Sequence, residues 1–145
     1  MLTAATYDDA NLILRLYELR RETKLREARD WFSANFKGVK TMEDLTRIGP
    51  PGSPGDAYVR MVTSYWDMVA SFVTSGVLNR SLFFESGGEL LFTWFRIEAI
   101  VPAIRQAFGN PNIQANMEQV AKQYIEWIDA KAPGTSEKWR QMANA

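Results

Sequence analysis

Residues 90–104 form the longest apolar stretch of the chain, with Arg96 and Glu98 as its only charges and a proline at Pro102. At 15 residues it falls short of the roughly 20 needed to span a bilayer. Phe92-Thr93-Trp94-Phe95-Arg96-Ile97-Glu98-Ala99-Ile100-Val101 is rich in strand formers, and Arg96 and Glu98 alternate with apolar neighbours. Three features favour a helix instead. Ser86-Gly87-Gly88-Glu89 ahead of it has the Ser-x-x-Glu form of a helix start. The segment continues to about residue 108, where Gly109-Asn110-Pro111 ends it. Nothing nearby resembles a partner strand. A helix apolar on nearly every side must be surrounded by other helices. The expectation is therefore an all-α bundle built around a central apolar helix kinked at Pro102.

The flanking segments supply those helices. Leu12, Leu16 and Leu19, then Leu25, Ala28, Phe32 and Phe36, recur at helical spacing. Thr6 precedes them as a cap, with Asp8 and Asp9 in the first turn. This predicts one long first helix over residues 7–36, about 45 Å at 1.5 Å per residue. Thr41-Met42-Glu43-Asp44 opens a short helix. Residues 49–55 hold three prolines and three glycines, a loop. Ser53, Pro54 and Asp56 start the next helix, with Val59, Val62, Trp66, Val69 and Val73 as its buried stripe. A short turn follows over residues 80–85. Residues 112–131 form another helix, and 133–145 a short tail helix carrying Trp139. Five to six helices in one domain over residues 1–145 follow from this pattern.

Composition narrows the chemistry. The chain has no cysteine and no histidine. Disulfides, thiolate nucleophiles, imidazole bases and the usual zinc, haem and iron–sulfur ligands are thereby excluded, and no cofactor is implied. Seventeen basic and seventeen acidic side chains leave zero net charge, without the footprint of a nucleic-acid binder. The start of the chain carries Asp8 and Asp9 and no basic or apolar leader, so a soluble, cytoplasmic protein without a membrane span is expected. Charges concentrate in residues 1–49, nine basic and eight acidic, and thin out in residues 50–110, four and five. The middle third is thus the expected core.

Glu85, Glu89 and Glu98 sit inside that core third, with Arg80 and Arg96 close in sequence. Carboxylates in apolar surroundings suit acid–base or metal chemistry. Set against this, Arg96 or Arg105 neutralises one of them and Glu89 serves the helix start. Trp66 and Trp94 with Glu85 or Glu98 make a candidate aromatic and carboxylate pocket; aromatics at helical spacing also simply fill a core. Gly87-Gly88 is a break between helices or an anion-binding turn. Arg20, Arg21, Lys24, Arg26 and Arg29 are interleaved with Glu18, Glu22, Glu27 and Asp30, the pattern of a solvated helix.

The order of several motifs resembles a known family. Tyr65-Trp66-Asp67-Met68-Val69-Ala70, Ser75-Gly76-Val77-Leu78-Asn79, Phe83-Phe84-Glu85, Trp94, Val101-Pro102-Ala103-Ile104-Arg105 and Asn110-Pro111 follow one another, and Arg20-Arg21-Glu22-Thr23-Lys24 fits on the first helix. Across roughly residues 12–128 the chain is similar to the domain of unknown function 4760. That resemblance implies a helical, bacterial protein without an assigned activity, and it brings no functional residues.

With no catalytic constellation, the sequence is read as a non-enzymatic protein–protein interaction or assembly module. The alternative is a small-ligand-binding or enzymatic bundle using the Trp66, Glu85, Trp94 and Glu98 pocket. Binding of a phosphate backbone through Arg20 and Arg21 ranks below both. A homodimer is expected, with Leu12, Ile13, Leu14 and Leu16 of the first helix as its interface, because more apolar side chains cluster there than one core contact uses.

Overall fold

The computed structural model describes residues 4–145. Among the described residues there are nine helices and no strand: α1 (Tyr7–Arg20), α2 (Thr23–Asn35), α3 (Met42–Ile48), α4 (Pro54–Thr74), α5 (Arg80–Phe84), α6 (Gly88–Ile97), α7 (Val101–Phe108), α8 (Ala115–Lys131) and α9 (Thr135–Ala143). The 21-residue α4 lies at the centre, packed by α2 on one side and α8 on the other. Helix α6 rests on α8 and α9 and also touches α4. One continuous apolar core draws on α1, α2, α4, α5, α6, α7, α8 and α9, and Trp66, Phe36, Leu90, Leu91, Ile100 and Met117 are sealed inside it.

Local chemistry sets most helix starts. Thr41 accepts from the Asp44 N–H at 3.0 Å while Asp44 accepts in return from the Thr41 N–H at 3.1 Å. Ser53 accepts from the Asp56 N–H at 3.2 Å, and Pro54 fills the first position, where its missing N–H has no partner to lose. The 49–55 segment is a tight turn, closed by the Ser53 N–H on the Pro50 carbonyl and by the Gly52 N–H on Asp56.

Two expected helices are broken. The 30-residue first helix divides at Arg21–Glu22. Glu22 is extended at φ −59°, ψ 140°, and its carboxylate accepts from the Leu25 N–H at 3.0 Å, so it caps α2. The Arg29 guanidinium reaches back to the Arg20 carbonyl at 3.0 Å and closes α1. The 45 Å rod does not exist. The central helix divides at residues 98–100 into α6 and α7. Pro102 sits in the first turn of α7, so it begins a helix rather than kinking one.

The Ser86 start is also displaced. Gly87 is the capping position of α6, with no side-chain cap. A Cβ on Gly87 would lie 2.5 Å from the Phe83 ring, so the close approach of that ring requires glycine there. The tail helix stacks Trp139 on Phe92 with ring centroids 5.3 Å apart. It covers α6 and leaves the outer face of α1 open.

Candidate functional site

The four candidate-pocket residues have separate partners. Trp66 on α4 is 2% exposed, packs edge-on to Tyr65 and carries the Arg20 guanidinium 5.1 Å above its ring. Its indole N–H is buried without a hydrogen-bond partner. Trp94 is buried on α6. Glu98 receives Arg140 through two contacts, at 2.8 and 3.4 Å. Glu85 is exposed and faces Lys131 at 3.7 Å.

Each of the three core-third carboxylates is matched to a cation from a distant helix. Arg29 of α2 forks Glu89 of α6, Nη2 to Oε1 at 2.6 Å and Nε to Oε2 at 2.8 Å. This overturns the expectation that Glu89 serves the helix start and that Arg96 or Arg105 neutralises one of the three. Arg105 turns instead to Glu118 at 3.0 Å and to the Ile113 carbonyl at 2.8 Å. Arg96 donates to the Ala143 and Phe32 carbonyls. Among the described residues no group of three or more Asp or Glu comes together as a cation cage, and no helix is long and apolar enough to cross a membrane.

Two further polar side chains hold elements together. Asp9 of α1 is buried and accepts from the Thr6 N–H at 2.7 Å and the Asn79 N–H at 2.8 Å, tying the start of α1 to the start of α5. The Thr6 and then the Asn79 backbone bonds hold its carboxyl below the usual range. Asp67 of α4 accepts from the Met117 N–H at 3.0 Å in the first turn of α8, doing from another helix what a capping residue does locally. Burial pushes its carboxyl upward, against the pull of that bond.

The expected interface residues also part company. Leu16 is 6% exposed and belongs to the core, where it cannot meet a partner chain. Leu12 and Ile13 are half-buried against that core. Leu14 alone of the four faces outward, at 61% exposure. It is joined by residues the apolar count passed over, Tyr7 at 80% and Tyr17 at 51%. With Ala10 and Arg21 these positions run 7, 10, 14, 17, 21, a spacing of three and four that places them on one line along α1. Tyrosine's amphipathic character hid that line in a reading that counted leucines.

Helices α3, α4 and α7 enclose an apolar groove of about 310 Å3, walled by Met42, Leu45, Val59, Ile104 and Phe108. Gln114 at its rim has φ +58° and a buried, unpartnered Oε1.

A family model described as a domain of unknown function (DUF4760) matches residues 5–127, most of the chain. No curated protein and no solved structure matches it.

Proposed function

The chain belongs to the DUF4760 family, and we propose that it is a non-enzymatic protein–protein interaction module, residues 1–145 acting as one domain that pairs with a second copy of itself through α1. The observation that carries this is the outward line of Tyr7, Ala10, Leu14, Tyr17 and Arg21. Tyr7, Leu14, Tyr17 and Arg21 are exposed and Ala10 is half-buried among them, and a three-four spacing of this kind is the seam that a second helix fills.

The seam is self-complementary when two copies run antiparallel about a two-fold axis at Leu14. Leu14 then meets its own equivalent. Ala10 lies opposite Tyr17, small against large. Tyr7 lies opposite Arg21, a ring against a cation. Such a contact is isologous and closes at two subunits. Zero net charge leaves no long-range repulsion between copies. Carboxylates that acid–base chemistry would need free are held in ion pairs, which supports the non-enzymatic part of the reading.

Light scattering at micromolar concentration is expected to return twice the chain mass. Leu14→Glu is expected to return one chain mass with unchanged helical circular dichroism, because Leu14 touches little of its own core. A monomeric wild type overturns the proposal, and so does a Leu14→Glu protein that remains a dimer.

A further inference from the structure

Independently of α1, a cavity of about 420 Å3 opens between α2 and α6, walled by Arg29, Phe32, Val62, Phe92, Thr93 and Arg96. Its charges do not balance. Arg29 and Arg96 contribute two positive charges, and Glu89, also in the wall, contributes one negative charge. Glu89 is already forked by Arg29. Arg96 has no acid. Its Nε donates to the Ala143 carbonyl at 2.9 Å and its Nη1 to the Phe32 carbonyl at 3.3 Å. Nη2 and the second Nη1 proton remain unused. Among the described residues Arg96 makes no ion pair, although it is half-buried and its surroundings disfavour the charge. A desolvated guanidinium held by two carbonyls and a ring face, with Glu89 acting on it only from beyond ion-pair distance, is a site that an anion stabilises.

Thr93 supplies the second observation. It is 4% exposed, lines the cavity, and its hydroxyl makes no hydrogen bond, not even to the carbonyl one turn back that helical threonines often use. Among the described residues the sealed side-chain atoms without a partner are Trp66 Nε1 and Gln114 Oε1, so the Thr93 hydroxyl is open to the cavity and meets an acceptor that enters it. Glu89, Thr93 and Arg96 fall at i, i+4 and i+7 on α6, so hydroxyl and guanidinium look out from the same face. Phe32, Val62 and Phe92 make the rest of the wall apolar.

We propose that this cavity binds a small monocarboxylate with an apolar alkyl or aryl body. The carboxylate takes the free end of Arg96 and the Thr93 hydroxyl, and the body lies against Phe32, Val62 and Phe92. A planar guanidinium matches a carboxylate with two parallel hydrogen bonds. The net charge of the wall is one positive, which a monoanion neutralises. A phosphate dianion would leave an uncompensated negative charge beside Glu89. The volume falls within the range of small-molecule sites, about 300–1,000 Å3.

Titration of the full-length protein with benzoate and hexanoate, followed by calorimetry and by amide chemical shifts, tests this. Saturable binding is expected, with shifts centred on Thr93 and Arg96. Benzyl alcohol and hexanol, which keep the bodies and lose the charge, are expected not to saturate. Arg96→Gln is expected to abolish binding. Thr93→Val, which keeps the shape and loses the donor, is expected to weaken it about tenfold. If Arg96→Gln does not fold, Thr93→Val and the alcohol comparison decide alone. The proposal is overturned if neither carboxylate saturates at millimolar concentration, if Thr93→Val binds as tightly as wild type, or if the alcohols bind equally well. Phenyl phosphate binding as tightly as benzoate, with the same dependence on Thr93, overturns the choice of a monoanion.

Discussion

Trp66 gives the sharpest test of how the centre of the bundle is held. Its side chain is 2% exposed, touches Tyr65 edge-on and lies beneath Arg20. Truncating a buried tryptophan to alanine costs about 3–5 kcal/mol, transfer and residual cavity together. At roughly 3 °C per kcal/mol for a chain of this length, Trp66→Ala melts about 9–15 °C below wild type. Trp66→Phe separates two contributions. It removes ring volume, which destabilises, but it also removes an indole N–H that has no partner. The cavity beside it, about 10 Å3, offers no more room than a single water needs. An unmet buried donor costs about 1–3 kcal/mol. The two effects largely offset, and Trp66→Phe is expected within about 1 kcal/mol of wild type. Urea denaturation followed by far-ultraviolet circular dichroism reads both variants without interference from the other four tryptophans. A Trp66→Ala protein as stable as wild type refutes the burial. A Trp66→Phe protein as unstable as Trp66→Ala refutes the orphan donor.

Three further outcomes follow from buried polar groups and one close contact. Asp67→Asn keeps an acceptor for the Met117 N–H and removes a carboxylate that burial disfavours, so it folds at neutral pH at least as stably as wild type, whereas Asp67→Ala loses about 1 kcal/mol with the cap. Because burial raises the folded pKa of Asp67, wild type loses ground to Asp67→Asn as pH rises through that value, and denaturation at a series of pH values shows the sign. Tyr65 and Tyr124 are both pushed up to about 12 by burial; their folded values exceed their unfolded ones, so the stability they contribute is full below about pH 10 and is lost as pH rises toward 12, and ultraviolet titration should find two tyrosines ionising there. Gly55→Ala would place a Cβ 2.6 Å from the Trp31 ring and 2.9 Å from the Ile48 carbonyl; the ring can shift but the carbonyl cannot without moving α3, so a drop in melting temperature is expected, and an unchanged one shows the contact to be loose.

What the sequence made legible was local. Thr41 with Asp44 and Ser53 with Asp56 fix helix starts through residues three apart, and both caps form as their spacing requires. Of the expected stripe, Val62, Trp66, Val69 and Val73 are buried as its period demands, and Val59 is half-buried against the core. The misread breaks combine local contacts with distant ones. Residues 12–19 and 25–36 each keep helical spacing, the six-residue step from Leu19 to Leu25 spans the break, and there Glu22 caps α2 while Arg29 bonds both the Arg20 carbonyl and Glu89, sixty residues away. At the start of α6 Gly87 and not Ser86 takes the capping position, and the Phe83 ring, four residues back, occupies the space a side chain there would need. Pro102 left two outcomes open, a kink or a fresh start. The turn at residues 98–100 selects the second, with Glu98 drawn to Arg140 of the last helix.

The same distinction reverses the sign of the chemistry. Pairing rules for helix neighbours find Asp44 with Arg47, Asp56 with Arg60 and Glu118 with Lys122. They cannot find the cations that reach Glu85, Glu89 and Glu98 from α8, α2 and α9. Read along the chain, three carboxylates among apolar residues look like the groups in surplus, and Arg96 looks like the cation that balances one of them. In the folded chain every one of the three has another partner, and Arg96 is the group left over, held by two carbonyls beside an idle hydroxyl. A surplus carboxylate would attract a metal or a proton; a surplus guanidinium attracts an anion. The partner such a wall selects is therefore negative, and the apolar surface beside it sets the rest of the ligand's shape.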